Sequence, residues 1–269
     1  MKNARRLSRS RISRLVAVTV SSLVAITPAL VANPPAPAAE KYGTITGHVV
    51  WGGKGIPEAK VLVKKGDQGV KDAAVCAATE LKSKELTVDA ASLGVADAIV
   101  YILKPTGTNP EAEKALLEKT PEVIMDQINC EYVPYTTAIH TGQKITFKSS
   151  DPVGHNVHYT VFGAPGMNTM LPANGKITKT FKEAPKRVIP VVCDIHPWMK
   201  GQFQVFDHPF FAVTKADGSF EIKGVPAGTQ NLIVFHSTKG YINEGKAKGQ
   251  PVEVKAGEAT DLGSIKLGE

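Results

Sequence analysis

Short runs of alternating apolar and polar residues recur along most of the chain, separated by Gly, Pro and Asp. The first run, Tyr42–Trp51, alternates in the manner of a half-buried strand, and a Gly-rich turn follows at 52–55. Further strands are predicted at 59–64, 85–89, 98–103, 144–148, 157–162, 176–182, 187–193, 201–206, 230–236, 251–255 and 261–267. One helix is predicted at 110–119, which Asn109 can cap and Pro110 can begin. This pattern predicts an all-β protein made of sandwiches.

The N-terminal segment differs from the rest of the chain. Six basic residues lie between Lys2 and Arg14, and an apolar stretch, Leu15–Ala32, and small residues at 36–39 follow. This order predicts a secretory signal peptide at 1–39 and a periplasmic or otherwise exported protein. A transmembrane anchor is the alternative, because the apolar run is just long enough for one. After cleavage no membrane span is expected.

The net charge changes once this leader is set aside. The full chain has 32 Lys and Arg against 25 Asp and Glu, and removal of the six basic leader residues leaves 26 against 25. The sequence pI of 9.2 therefore reflects the leader. Because no clustered basic face stands out in the remainder, a nucleic-acid partner is not expected. Without a C-x-x-C-H motif, covalently attached haem is not expected either.

The most informative segment is Cys193-Asp-Ile-His196-Pro-Trp-Met199, which offers a thiolate, an imidazole and a thioether within seven residues. It follows an apolar strand directly. A second imidazole is available from His155, which also lies between two predicted strands. Two His, one Cys and a weak axial Met are the ligand set of trigonal blue-copper sites. Zinc rarely uses Met, so copper is the predicted metal.

These segments resemble the cupredoxins. Cys193–Met199 is similar to a ligand loop with the short amicyanin spacing, C-x-x-H-x-x-M with Pro after the His, and 155–158 is similar to the family's first ligand segment. Together with 130–134 and 207–214, they resemble secreted, plastocyanin-like proteins described as methylamine-utilisation proteins, over 85–236. Tyr135 departs from that pattern, since such proteins commonly have His there.

The resemblance implies a cupredoxin Greek-key β-sandwich that holds one type 1 copper ion. Its ligands would be His155 and His196 as neutral imidazoles, Cys193 as the thiolate and Met199 as a distant ligand that tunes the potential.

Residues around the ligands have expected supporting roles. Asn156 is expected to connect the first ligand segment to the Cys193 loop near Asp194, and Pro197 to stiffen that loop. Trp198 would shield the metal or offer an apolar docking face. Structural roles are expected for the remaining candidate donors: His48, His140, His158, His208, His236, Met167 and Met170.

The cysteine count fits this assignment. If Cys193 binds copper, Cys76 and Cys130 remain to form one disulfide in the export compartment. The alternative is a Cys130–Cys193 disulfide and no working metal site.

The flanking regions, 43–64 and 211–268, resemble two parts of a carboxypeptidase regulatory-like (transthyretin-like) sandwich. Such a domain needs both parts to bury its inner faces. The predicted organisation is therefore a signal peptide at 1–39, a copper domain at 67–209, and a split sandwich formed by 43–66 and 210–269.

The expected function is one-electron transfer with a redox protein partner, such as a dehydrogenase, a c-type cytochrome or an oxidase. An enzyme is not expected, because a mononuclear site with four protein ligands leaves no open position for a substrate. Two alternatives remain: a binding or structural sandwich, and a copper carrier without redox cycling.

Overall fold

The computed structural model describes residues 41–268, so the predicted signal peptide at 1–39 lies outside the described residues. These residues form β-strands with two α-helices and one 3-10 helix at Lys246–Lys248. The helices are α1 (Ala73–Cys76) and α2 (Pro110–Lys119). The strands are β1 (Tyr42–Trp51), β2 (Val61–Val63), β3 (Leu81–Lys82), β4 (Ile99–Ile102), β5 (Glu122–Ile128), β6 (Glu131–Val133), β7 (Thr136–His140), β8 (Lys144–Ser149), β9 (His155–Val161), β10 (Ala164–Leu171), β11 (Lys176–Thr180), β12 (Ile189–Val192), β13 (Lys200–Phe206), β14 (Phe211–Val213), β15 (Ser219–Pro226), β16 (Gly228–His236), β17 (Gly240–Tyr241), β18 (Gln250–Val254) and β19 (Ala259–Leu267). The predicted all-β class is confirmed.

One pair of sheets carries the metal-ligand candidates. Five strands are ordered β10-β9-β12-β13-β7, and four are ordered β11-β8-β5-β6. Most neighbours are antiparallel, but β13 pairs with β7, and β5 with β8, in parallel. Apolar side chains from both sheets form one buried cluster, in which the rings of Phe147, Tyr159 and Phe203 lie within 5.8 Å of one another. This core fixes the ends of β9, β12 and β13.

A second group of sheets joins the two ends of the described chain. β1 lies between β15, which is antiparallel to it, and β19, which is parallel to it. The other sheet is ordered β14-β4-β16-β17, with β18 also paired to β16. A second buried cluster includes Ile45 and Ile222 from the first of these sheets and Val100 and Val234 from the other. The N-terminal strand is thus built into a sheet with C-terminal strands.

One strand does not follow the predicted domain boundaries. β4 falls within the range predicted for the copper domain, 67–209, but it pairs with β14 and β16 and packs in the second cluster. The described residues belong to one compact unit, so the division into a copper domain and a split sandwich stays a prediction.

The predicted helix is present as α2. Asn109 caps it, because its side-chain oxygen accepts a hydrogen bond from the backbone N–H of Ala112 at 3.0 Å. The predicted strand at 85–89 is wrong: only Val88 forms an isolated bridge, to Val95. Among the described residues, no helix is long and apolar enough to cross a membrane.

Candidate metal centre

The sheet order explains how distant residues meet. His155 is the first residue of β9, and Cys193 directly follows β12. Because β12 pairs with both β9 and β13, the loop 193–199 lies beside the start of β9. Pairing of Val192 with both His158 and Lys200 sets the register at this end. The end of one sheet therefore brings the two predicted ligand segments together.

Three predicted donors converge in the interior. The ligand atoms of His155, Cys193 and His196 all lie within 4.8 Å of one another, and all three residues are buried. The two Nδ1 atoms are 2.9 Å apart, and the Cys193 Sγ atom is 3.7 Å from the Nδ1 atom of His196. Two imidazole lone pairs this close repel each other unless a proton or a cation lies between them. The positions of the two Nδ1 atoms therefore favour a proton or a metal cation at this point.

The loop from Cys193 to Met199 is closed by its own backbone. The N–H of Cys193 donates to the carbonyl of Met199 at 3.2 Å, and the N–H of Met199 donates to the carbonyl of His196 at 2.8 Å. The Met199 side chain is only 1% exposed and packs in the core of the ligand-bearing sheets. Three of the four predicted ligands thus lie in one short loop that its own hydrogen bonds close, and the fourth, His155, begins the neighbouring strand β9.

Each imidazole is also bonded to a carboxylate on its other nitrogen. The Nε2 atom of His155 lies 2.8 Å from Oδ2 of Asp151, and that of His196 lies 3.0 Å from Oδ2 of Asp72. A carboxylate on Nε2 holds the proton there and leaves the Nδ1 lone pair available to a metal. Sequence reasoning missed both carboxylates.

The electrostatics of the cluster favour a thiolate. Burial raises the pKa of Cys193, but hydrogen bonds with His155 and His196 outweigh it and lower the pKa to about 6. Burial lowers the pKa of His155, yet its bonds to Asp151 and Cys193 raise it to about 9. The metal-free site therefore stabilises a thiolate beside an imidazolium at neutral pH.

Asn156 connects the two ligand segments. Its Oδ1 atom accepts from the backbone N–H of Asp194 at 2.6 Å, and its own N–H lies 3.5 Å from the Cys193 sulfur. Its side-chain amide donates to the Asp194 carboxylate at 2.9 Å, which also bonds to His158 at 2.9 Å. His158 thus faces this carboxylate on the surface.

The other loop residues lie around His196. The ring of Trp198 is half-buried, with its centroid 5.3 Å from that of His196, while Pro197 is exposed. Burial lowers the pKa of both His208 and His236 to about 4, as in residues that pack rather than titrate.

The remaining cysteines form a disulfide, Cys76–Cys130, whereas Cys193 is free and buried. The alternative pairing of Cys130 with Cys193 is therefore absent from this structure. The free thiol is the one whose sulfur lies within 4.8 Å of a ring nitrogen of each imidazole.

The donor set fits copper by its chemistry. Two imidazoles in their neutral form and one thiolate, with a buried methionine at the end of the same loop, suit a copper ion that changes between Cu(I) and Cu(II). The carboxylates on the outer nitrogens supply the support that metal-bound histidines usually have.

Comparisons with known proteins reach only part of the chain. No protein family model matches it, and no curated protein matches it. Solved structures that resemble it include a proline-to-glycine variant of amicyanin in the reduced Cu(I) form, which is 24% identical, with 32% of this chain and 82% of that chain covered and a TM-score of 0.29. A Cu(I) form of a methionine-to-alanine variant of amicyanin is 21% identical, with 41% of this chain and 99% of that chain covered and a TM-score of 0.30. A copper-containing nitrite reductase from Thermus scotoductus SA-01 is 22% identical, with 32% of this chain and 22% of that chain covered and a TM-score of 0.29. At these TM-scores the similarity adds nothing to the assignment of function.

Proposed function

We propose that this chain is an exported type 1 copper protein that carries single electrons. The observation that carries the proposal is the convergence of His155, Cys193 and His196, whose buried donor atoms lie within 4.8 Å of one another. Met199 would be the fourth, weak ligand, since it ends the same loop and is buried beside it.

In this proposal, hydrogen bonds from the surrounding protein hold the copper ligands in place. When bound, copper would supply a one-electron Cu(II)/Cu(I) couple. The outer nitrogens of His155 and His196 are held by carboxylates, and the backbone N–H of Asn156 points at the Cys193 sulfur. Because these contacts already hold the ligand side chains in place within the fold, the ligands need little rearrangement between the two oxidation states.

We propose an electron carrier rather than an enzyme. Both imidazoles are 0% exposed and Cys193 is 1% exposed, so a substrate has no direct approach to the ligands. The proposed partner is a redox protein, such as a dehydrogenase, a c-type cytochrome or an oxidase. The basic and apolar leader supports export.

Voltammetry of the purified, copper-loaded protein tests this function. A reversible one-electron wave is expected, and the same wave should be absent from the Cys193→Ser variant. Tight Cu(I) binding without a reversible wave would overturn electron transfer and favour the copper-carrier alternative. Failure to bind copper in either oxidation state would favour a structural sandwich.

A further inference from the structure

The outer edge of His196 is covered by a segment from a distant part of the chain, residues 66–77. The Nε2 atom of His196 lies 3.0 Å from Oδ2 of Asp72, which is 124 positions away in sequence. His196 is completely buried, while the Asp72 side chain keeps about a quarter of its surface exposed, at 27%. Solvent therefore meets the carboxylate and not the imidazole.

Local contacts hold Asp72 in this place. Its carbonyl accepts hydrogen bonds from the N–H groups of Val75 and Cys76, both at 2.9 Å. The ends of the segment are joined by the N–H of Gly66, which donates to the carbonyl of Ala77 at 2.8 Å. Asp72 itself has a φ of 55°, in the left-handed region that Asp and Asn tolerate better than most other residues with a side chain. Residues 66–77 thus form a folded cover over His196, with the Asp72 carboxylate directed toward the imidazole.

The Cys76–Cys130 disulfide links this cover to Asp151, the carboxylate that holds the other imidazole, His155. Cys76 lies within the cover, and Cys130 donates its backbone N–H to Oδ2 of Asp151 at 2.8 Å. Asp151 in turn bonds to His155. The sulfur atoms of Cys76 and Cys130 and a ring nitrogen of His196 lie within 4.8 Å of one another. One covalent bridge therefore joins the elements that support both imidazoles.

We propose that Asp72, held by the Cys76–Cys130 disulfide, is a positioning residue for the copper ligand His196 and lowers the reduction potential of the bound copper. The inference rests on the proposed function. A negative charge hydrogen-bonded to a ligand stabilises Cu(II) more than Cu(I), because the oxidised ion has the larger positive charge. The same bond fixes the ring with its Nδ1 atom directed at the metal.

Two substitutions separate charge from positioning. Asp72→Asn keeps an oxygen acceptor but removes the charge, so the potential should rise through weaker Cu(II) binding while Cu(I) affinity stays close to that of the unmodified protein. Asp72→Ala removes both, so the potential should rise and Cu(I) affinity, measured by competition with a chelator, should fall about 10- to 100-fold. Asp67→Asn is the matched control, because Asp67 lies in the same segment and its exposed carboxylate accepts a hydrogen bond from the backbone N–H of Gly69 rather than from an imidazole.

A second measurement uses the metal-free protein. Nitrogen NMR should show His196 with its proton on Nε2, and this preference should weaken in Asp72→Ala but not in Asp67→Asn. The double variant Cys76→Ser/Cys130→Ser should lower Cu(I) affinity in the same direction. Adding Asp72→Ala to it should lower affinity by less than the sum of the separate effects, because the disulfide acts through Asp72.

The inference fails if Asp72→Asn and Asp67→Asn have the same potential as the unmodified protein, or if Asp72→Ala leaves Cu(I) affinity and the His196 proton unchanged. Fully additive effects of the disulfide and Asp72 variants would overturn the role given to the disulfide. If the unmodified protein binds copper without a reversible wave, the proposed electron transfer has failed. The NMR comparison and Cu(I) affinity then still decide whether Asp72 positions His196.

Discussion

The Nδ1 atoms of His155 and His196 lie 2.9 Å apart, although the residues are 41 positions apart in sequence. Their Nε2 atoms point away from each other, to Asp151 and Asp72. The two rings therefore present their free nitrogens to one point, which is also within reach of the Cys193 sulfur. This arrangement carries the metal assignment and leads to the following predictions.

Replacement of Met199, the proposed weak fourth ligand, should change the reduction potential of the bound copper without removing the metal. Met199→Leu keeps an apolar side chain in a buried position but removes the thioether, whose weak donation stabilises Cu(II). Voltammetry should show a higher reduction potential than that of the unmodified protein. Met170→Leu is the control, since Met170 is 59% exposed, and it should leave the potential unchanged. Equal potentials in all three proteins would contradict the axial role.

Asp151 should stabilise the metal-free fold. Its carboxylate accepts bonds from the His155 ring and from the backbone N–H groups of Asn129 and Cys130. Asp151→Ala leaves the buried His155 ring and Cys130 N–H without this acceptor, so the free energy of unfolding should fall by about 1–3 kcal/mol. Asp67→Ala, at an exposed turn, should change it by less than about 0.5 kcal/mol. Denaturant titration of both metal-free variants measures the difference.

The stabilisation from Asp151 should depend on pH in a known direction. Burial raises the pKa of Asp151, but its hydrogen bonds with His155 and the two backbone N–H groups outweigh this and lower the pKa below the usual range. A lowered folded pKa means that the stabilisation is present above the unfolded pKa of about 3.9 and is lost as pH falls through the folded value. Denaturation of Asp151→Ala and the unmodified protein should therefore converge in strong acid, and a constant difference down to the lowest pH would contradict this origin.

The Cys193 thiol should lose its proton at a lower pH than an ordinary cysteine in the metal-free protein. Its pKa is lowered to about 6, against the burial that raises it, by hydrogen bonds with His155 and His196. The ultraviolet absorbance of the thiolate should therefore appear near pH 6, and in His155→Gln the midpoint should move upward. His158→Gln is a suitable control, because His158 bonds to Asp194 and not to the sulfur. An unchanged midpoint in His155→Gln would show that this ring does not stabilise the thiolate.

The candidate donors are easier to recognise in the sequence than the residues that support them. Four donors of suitable type in two short segments form a pattern that chance seldom assembles, and Asn156 lies inside one of them. Asp72 left no such signal, because a single carboxylate 124 positions from its partner resembles any surface residue. Asp151 had a weak one, since it stands four positions before His155 in the segment that supplied this ligand.

Strand prediction failed where the local pattern and the pairing partners disagree. β10 was not predicted, because Ala164-Pro-Gly-Met-Asn-Thr-Met-Leu171 contains Pro and Gly and does not alternate, and pairing with β9 is what orders it. Residues 85–89 do alternate, but the described chain gives them only one isolated bridge, at Val88. β4 was recognised as an apolar strand, yet its sequence does not show which core it joins.

The packing of β1 against the turn before β15 can be tested at one glycine. Gly218 has a φ of 78°, and a Cβ there would lie 2.1 Å from the Val49 carbonyl oxygen in β1. Gly163 has nearly the same φ, 77°, but open space around it. Gly218→Ala should lower the free energy of unfolding by more than Gly163→Ala, by at least about 1 kcal/mol. Equal losses in denaturant titrations would argue against packing of β1 on this turn.

The visible spectrum of the copper-loaded protein tests the central claim most directly. Addition of one equivalent of Cu(II) to the purified protein should produce an intense blue thiolate-to-copper band, because Cys193 is the free, buried thiol within 4.8 Å of a ring nitrogen of each imidazole. Cys193→Ser should lose this band, while Cys76→Ser/Cys130→Ser should keep a thiolate-to-copper band. A colourless unmodified protein, or an equally intense band in Cys193→Ser, would contradict the type 1 copper site.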